Sequence, residues 1–159
     1  MLTKKHIHFG LLSIILISLD QVTKLYIHTH YRLGETHPII NGFFNLSYVQ
    51  NKGAAFGILS QGDSSLRDWF FLLLAPCAAM FILFLLKKAK SASWIYISSL
   101  AFIFSGTVGN YLDRLQFGYV IDLFDVHYKT LYYWPVFNVA DAVIVIGVTA
   151  LLFLPQPKT

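Results

Sequence analysis

The sequence predicts an all-α membrane protein with four transmembrane helices, a small extracytoplasmic β-sheet and an interfacial aromatic segment. Three observations lead there. The 159 residues are 56% apolar and only 13% charged, which leaves too little polar surface to coat a soluble domain of one-domain length. Four apolar stretches, roughly residues 9–27, 69–86, 94–112 and 136–154, each approach the ~20 residues that a helix needs to cross ~30 Å of hydrocarbon. Lysines gather at the termini and in the second connection, whereas all eight acidic residues fall elsewhere. The positive-inside rule then places both termini in the cytoplasm and the two long connections outside. The net charge of +4 comes from this asymmetry, so it gives no reason to expect a nucleic-acid partner. The whole chain, 1–159, is expected to be one integral membrane domain acting as a monomer among membrane lipids.

The first stretch follows Lys4 and Lys5 and resembles a secretory leader, but Asp20 and Lys24 come directly after it without a small-residue cleavage site. It is expected to be a retained helix. Residues 28–68 form the first outside connection, too long to be featureless. Asn41-Gly42 between apolar residues is a strong hairpin signal, and Phe44, Leu46 and Tyr48 alternate as in a half-buried strand. Asn51–Gly57, NKGAAFG, could bring backbone close to a ligand or could simply be a tight connection. In the second stretch Pro76 bends the helix without ending it, and Cys77, the only cysteine, reads as a small packed residue. Between Phe117 and Pro135 seven aromatic residues crowd together, as in a segment lying at headgroup level.

The polar residues inside these stretches carry the functional signal. Asp122 lies among Tyr119, Val120, Ile121, Leu123 and Phe124, and Asp141 lies five residues into the fourth stretch. Ionisable groups in such places are costly and are kept for a task. Asp20 is about 10 Å from the outer end of the first helix and Asp141 about 7 Å from that of the fourth, at 1.5 Å per residue. Asn110 and Arg114, four apart, share a face at the outer end of the third, and Asn138 and Asp141, three apart, share one on the fourth. Helices of opposite direction thus bring polar groups to one depth. Lys24, four residues after Asp20, is its natural ion-pair partner. Three roles remain open for the layer: an acid–base pair of carboxylates sharing a proton, a proton or cation pathway, and hydrogen-bonded helix contacts. His28 and His30, lacking carboxylate or cysteine support, make a weak metal site.

Five blocks taken together resemble the lipoprotein signal peptidases, or signal peptidase II. They are DQVTK (Asp20–Lys24), NKGAAFG (Asn51–Gly57), GNYLDR (Gly109–Arg114), YVIDLFD (Tyr119–Asp125) and FNVAD (Phe137–Asp141). The resemblance implies an aspartic endopeptidase of the bacterial plasma (inner) membrane that needs no metal or other cofactor. Its substrate would be a diacylglyceryl-modified prolipoprotein, cut N-terminal to the lipidated cysteine at the outer face. By the same resemblance Asp122 and Asp141 are the catalytic dyad. Asn51, Gly53, Asn110, Arg114 and Asn138 surround dyad and substrate, and Asp20 and Lys24 support the site. One block departs from the family: Ser105–Asn110, SGTVGN, replaces an approach that is usually richer in glycine and alanine.

Overall fold

A computed structural model describes residues 3–53, 64–89, 92–129 and 131–153. The element order is α1 (Lys4–His30), β1 (Thr36–Ile40), β2 (Phe44–Asn51), α2 (Ser64–Lys88), α3 (Trp94–Phe117), β3 (Val120–Tyr128), β4 (Tyr132–Tyr133) and α4 (Val139–Phe153). The molecule is mostly helical, and α3 is the central helix, packed against α1, α2 and α4. Small residues allow the close approach. A Cβ on Gly106 would lie 2.3 Å from the Ala140 carbonyl oxygen, and one on Gly147 would lie 2.7 Å from Ile103. In the departing block, Ser105 and Thr107 donate to the carbonyls of Phe102 and Ile103 at 2.9 and 2.7 Å. Their hydroxyls are thereby satisfied within the helix and place no polar demand on the packing.

Among the described residues, three helices are long and apolar enough to cross a membrane: Lys4–His30, Trp69–Lys88 and Trp94–Phe117. The fourth, Val139–Phe153, is apolar but shorter. Large apolar side chains stand exposed along the outer faces of α1, α2 and α4, among them Ile14, Leu73, Phe81 and Leu152. Soluble proteins rarely leave such contiguous apolar surface uncovered. The helix α2 runs through Pro76 without a break. Cys77 is exposed on it, so the expectation of a packed cysteine is corrected: the outward face of α2 is a lipid-type surface, on which a small apolar thiol costs little.

The sheet is antiparallel with strand order β1-β2-β3-β4. The β1–β2 hairpin turns where Asn41-Gly42 predicts it, with Gly42 at φ 74°, a conformation that suits glycine. The sheet takes in more than the first connection, since part of the aromatic stretch 117–135 is strand. Residues 120–128 form the longest strand, which pairs with β2, and α3 continues to Phe117 before Gly118 ends it at φ 77°. The physical reason is local. Val120, Ile121 and Leu123 are buried, and strand pairing satisfies the backbone groups that such burial would otherwise orphan. Tyr128, Leu131, Tyr132, Tyr133 and Trp134 do stay exposed. Two helix ends also move. Asn110 and Arg114 lie within α3, and Asp141 lies in the first turn of α4. Within NKGAAFG, residues 54–57 lie outside the described residues.

Candidate active site

The site forms where three elements are tied together at one end of the bundle. The strand β3 is joined to the segment entering α4 by an antiparallel bridge between Phe124 and Phe137. Phe124 N–H donates to the Phe137 carbonyl at 2.8 Å, and Phe137 N–H returns the bond at 3.1 Å. That bridge brings Asp122, just before it on β3, beside Asn138, just after it. Asn138 then starts α4. Its carbonyl accepts from Ala142 N–H at 3.2 Å and its side-chain Oδ1 accepts from Asp141 N–H at 2.9 Å, the N-cap pattern.

Asp122 is 2% exposed. Its Oδ1 accepts from Asn138 Nδ2 at 2.7 Å and its Oδ2 from Asn51 Nδ2 at 3.0 Å. Burial pushes this carboxyl up from an ordinary 3.8 to about 7, and the negative charge of Asp141 adds to the effect. The two amide hydrogen bonds and the charge of Lys24 oppose it without winning. Asp141 is half-buried and accepts from Asn110 Nδ2 at 2.8 Å. It borders a cavity of about 520 Å³ whose other walls are almost wholly apolar, including Trp134, Phe137, Val145 and Ile146. Among the described residues that line it, Asn51 and Asp141 supply the polar side chains apart from the indole of Trp134.

Behind this pair lies an ionic cluster. Lys24 Nζ is 2.9 Å from Asp20 Oδ2, 3.0 Å from Asp113 Oδ2 and 2.9 Å from Asn110 Oδ1. Three acceptors match the three N–H bonds of an ammonium, and all three charged side chains are 1% exposed. Asp20 Oδ1 accepts from Ala140 N–H at 2.8 Å. A carboxylate on α1 therefore satisfies one of the donors that the first turn of α4 would otherwise leave orphaned, where negative charge is favoured. Gly109 makes room for it, since a Cβ there would lie 2.5 Å from Asp20 Oδ2.

Arg114 donates to the carbonyls of Asn110 at 3.1 Å and Gly53 at 3.2 Å, and its guanidinium lies 4.8 Å from the ring centre of Phe71. Gly53 N–H donates to Asn51 Oδ1 at 3.0 Å. Gly53 thus enters the network through its backbone alone. Every residue that the sequence singles out here, Asp20, Lys24, Asn51, Gly53, Asn110, Arg114, Asp122, Asn138 and Asp141, joins one connected set of bonds.

His28 and His30 do not join it. His28 Nδ1 pairs with the Tyr48 hydroxyl at 2.6 Å and His30 Nδ1 with the Tyr26 carbonyl oxygen at 2.9 Å. Among the described residues no three His, Cys, Asp or Glu side chains come together to hold a metal ion.

Two participants escape the sequence reading. Asp113 pairs with Lys24 and accepts from Ile121 N–H at 3.1 Å, and Gln21 donates to Asp113 at 2.9 Å and to the Gly109 carbonyl at 3.2 Å. A signal for Asp113 was present. It is three residues from Asn110 on the same helix face, and a buried lysine with three donors needs more than one carboxylate.

The chain can now be set beside known proteins. The family model for signal peptidase (SPase) II matches residues 12–155. A lipoprotein signal peptidase of Desulforapulum autotrophicum is 40% identical over 151 residues, covering 95% of this chain and 93% of that one. One from Syntrophus aciditrophicus is 44% identical over 138 residues, covering 87% and 85%. Among solved structures, a bacterial membrane enzyme determined by the in meso method at 2.3 Å resolution superposes with a TM-score of 0.79 at 28% identity, covering 91% of this chain and 85% of that one.

Proposed function

This chain belongs to the signal peptidase II family, and from that premise we propose that it is an aspartic endopeptidase acting on prolipoproteins that carry diacylglycerol on the cysteine after the signal peptide. Cleavage falls N-terminal to that cysteine, with Asp122 and Asp141 as the catalytic dyad. The single observation that supports this most is the convergence of two carboxylates from different elements, near enough for the charge of Asp141 to act on Asp122. The Lys24 ammonium is engaged by Asp20 and Asp113.

Such a pair shares one proton and titrates as a unit. In the free enzyme the proton rests on Asp122, whose burial and negative neighbour hold it near 7. Asp141, at the cavity wall, draws a proton from water as that water attacks the scissile carbonyl carbon, and the proton of Asp122 passes to the carbonyl oxygen. The tetrahedral intermediate then collapses. Its C–N bond breaks, the amine leaves with the proton taken from water, and an O–H proton returns to the pair. No cofactor is required.

The apolar cavity along α4 suits lipid and signal-peptide side chains, and Arg114, Asn51 and Gly53 hold backbone where an extended peptide would pass. We take α4 as a fourth span of a single membrane domain, both termini as cytoplasmic and the sheet as extracytoplasmic, on the lysine distribution. The dyad then lies near the outer leaflet, where a lipid-anchored substrate is met.

The test is cleavage of a diacylglyceryl-modified prolipoprotein by the purified protein in detergent. Asp122→Asn and Asp141→Asn should each lower the rate by about 10⁴-fold or more, and the double variant should be little worse, because residues acting as a unit are non-additive. Substantial cleavage by either single variant, in protein shown to be folded, removes the dyad from the mechanism. Proton flux through liposomes with no product peptide would point to a pathway instead.

A further inference from the structure

A side-chain amide has an acceptor oxygen and a donor nitrogen and can in principle be turned either way. None of the three amides around the dyad has that choice. Lys24 Nζ has only hydrogens to offer, so the Asn110 atom 2.9 Å from it must be Oδ1. The N–H groups of Asp141 and Gly53 do the same for Asn138 and Asn51, at 2.9 and 3.0 Å. Each amide therefore turns Nδ2 toward a carboxylate: Asn110 toward Asp141, Asn138 and Asn51 toward Asp122. Two donors meet Asn110 Oδ1, Asn138 Nδ2 at 3.3 Å and the nearer Lys24 ammonium, a charge itself held by Asp20 and Asp113 at 2.9 and 3.0 Å.

We propose that Lys24 is a positioning residue that acts on the dyad through Asn110: its ammonium fixes the amide so that Asn110 serves Asp141 as a dedicated donor. Asn110 is then no contact for the substrate. The proposal rests on the aspartyl reading above. Turned the other way, Asn110 would set a carbonyl oxygen against Asp141 Oδ1, acceptor against acceptor, and the pair would hold its proton on the wrong member. Lys24 touches neither catalytic carboxylate and yet decides which of them can act as the base. Among the described residues, the charged groups around Asn110 and Asp141 are Asp20 and Lys24 on α1, Asp113 and Arg114 on α3 and Asp122 on β3.

Two substitutions at Asn110 test this with the same prolipoprotein cleavage. Asn110→Asp keeps an oxygen for Lys24 but replaces the donor facing Asp141 with a second carboxylate oxygen. It should lower kcat by about 100-fold or more, the scale of one preorganised donor, with KM within about threefold. Its residual activity should peak higher by on the order of one pH unit, because a third carboxyl now shares the proton. Asn110→Ala should lower kcat comparably with the profile unmoved, and it is read alone if thermal unfolding shows that Asn110→Asp does not fold. In the Asn110→Ala background Lys24→Met should cost little further kcat per folded molecule, the folded fraction being taken from thermal unfolding. A KM raised about tenfold with wild-type kcat in either Asn110 variant would make Asn110 a substrate contact and overturn the proposal, as would wild-type kinetics or additive losses with Lys24→Met. Those results leave the dyad standing. Cleavage by Asp141→Asn removes the dyad itself.

Discussion

Asp20 and Asp113 meet around one lysine; Asp122 and Asp141 meet around three amides. Both pairs are carried by different elements, both are largely buried, and they share Asn110 as a neighbour. The difference lies in what compensates the charge. Lys24 offers each carboxylate of the first pair a hydrogen-bonded opposite charge, which suits a framework. The second pair receives only neutral donors, which stabilise negative charge without cancelling it. On the proposed function, the pair with its cation holds the structure and the pair held by amides reacts.

Removing the cation breaks the contrast most directly. Lys24→Met leaves Asp20 and Asp113 buried without compensation and should destabilise the protein by about 3–5 kcal/mol, the cost of breaking a buried pair from one side. Replacing Asp20, Lys24 and Asp113 together by Asn, Met and Asn should cost much less. Thermal unfolding in detergent gives both values, and equal losses would mean that Lys24 stabilises by packing and not by charge.

The reacting pair should show the opposite behaviour. The folded state raises Asp122 from 3.8 to about 7, so between those values the folded protein holds a proton that the unfolded chain has released. Stability therefore falls as pH rises through that window, and the cost is fully present above 7. Asp122→Asn abolishes the slope. The variant should be the more stable by about 2 kcal/mol at pH 8, allowing for one amide donor left unpaired, and should lose that advantage near pH 4. An advantage that does not change with pH would show that Asp122 is not strained in the folded protein.

The smallest effect expected is at Arg114, which donates to the backbone carbonyls of Asn110 and Gly53. Arg114→Lys loses the planar fork and should reduce cleavage by about tenfold with the pH profile centred where it was. A displaced centre would place Arg114 in the electrostatics of the dyad.

The sequence made the helices and the polar layer legible, and for a physical reason. Long apolar stretches and ionisable residues within them are both read directly from hydropathy, and Asp20, Asn110, Asn138 and Asp141 each stand out against apolar neighbours. It was less informative about β3. A strand buried on both faces, VIDLFDVHY, has no alternation to reveal it. Helix ends shifted for a similar reason: Asp141 belongs to an N-terminal turn whose cap, Asn138, is set by the Phe124–Phe137 bridge across the chain. Asp113 shares the Asn110 face of α3, but only the fold shows that Lys24 of α1 pairs with it.

The absence of a side chain at Gly109 has a mechanical consequence. The Asp20 carboxylate occupies the notch that Gly109 leaves in α3, and from there it holds the Ala140 N–H of α4. Neither α1 nor α4 can slide along α3 without driving that carboxylate into backbone. A bilayer that thickens or thins therefore cannot be met by helices moving past one another like pistons. It is met by tilting the bundle as one body or by deforming the lipid around it, and the distance between the two acids is insulated from the membrane in which they work.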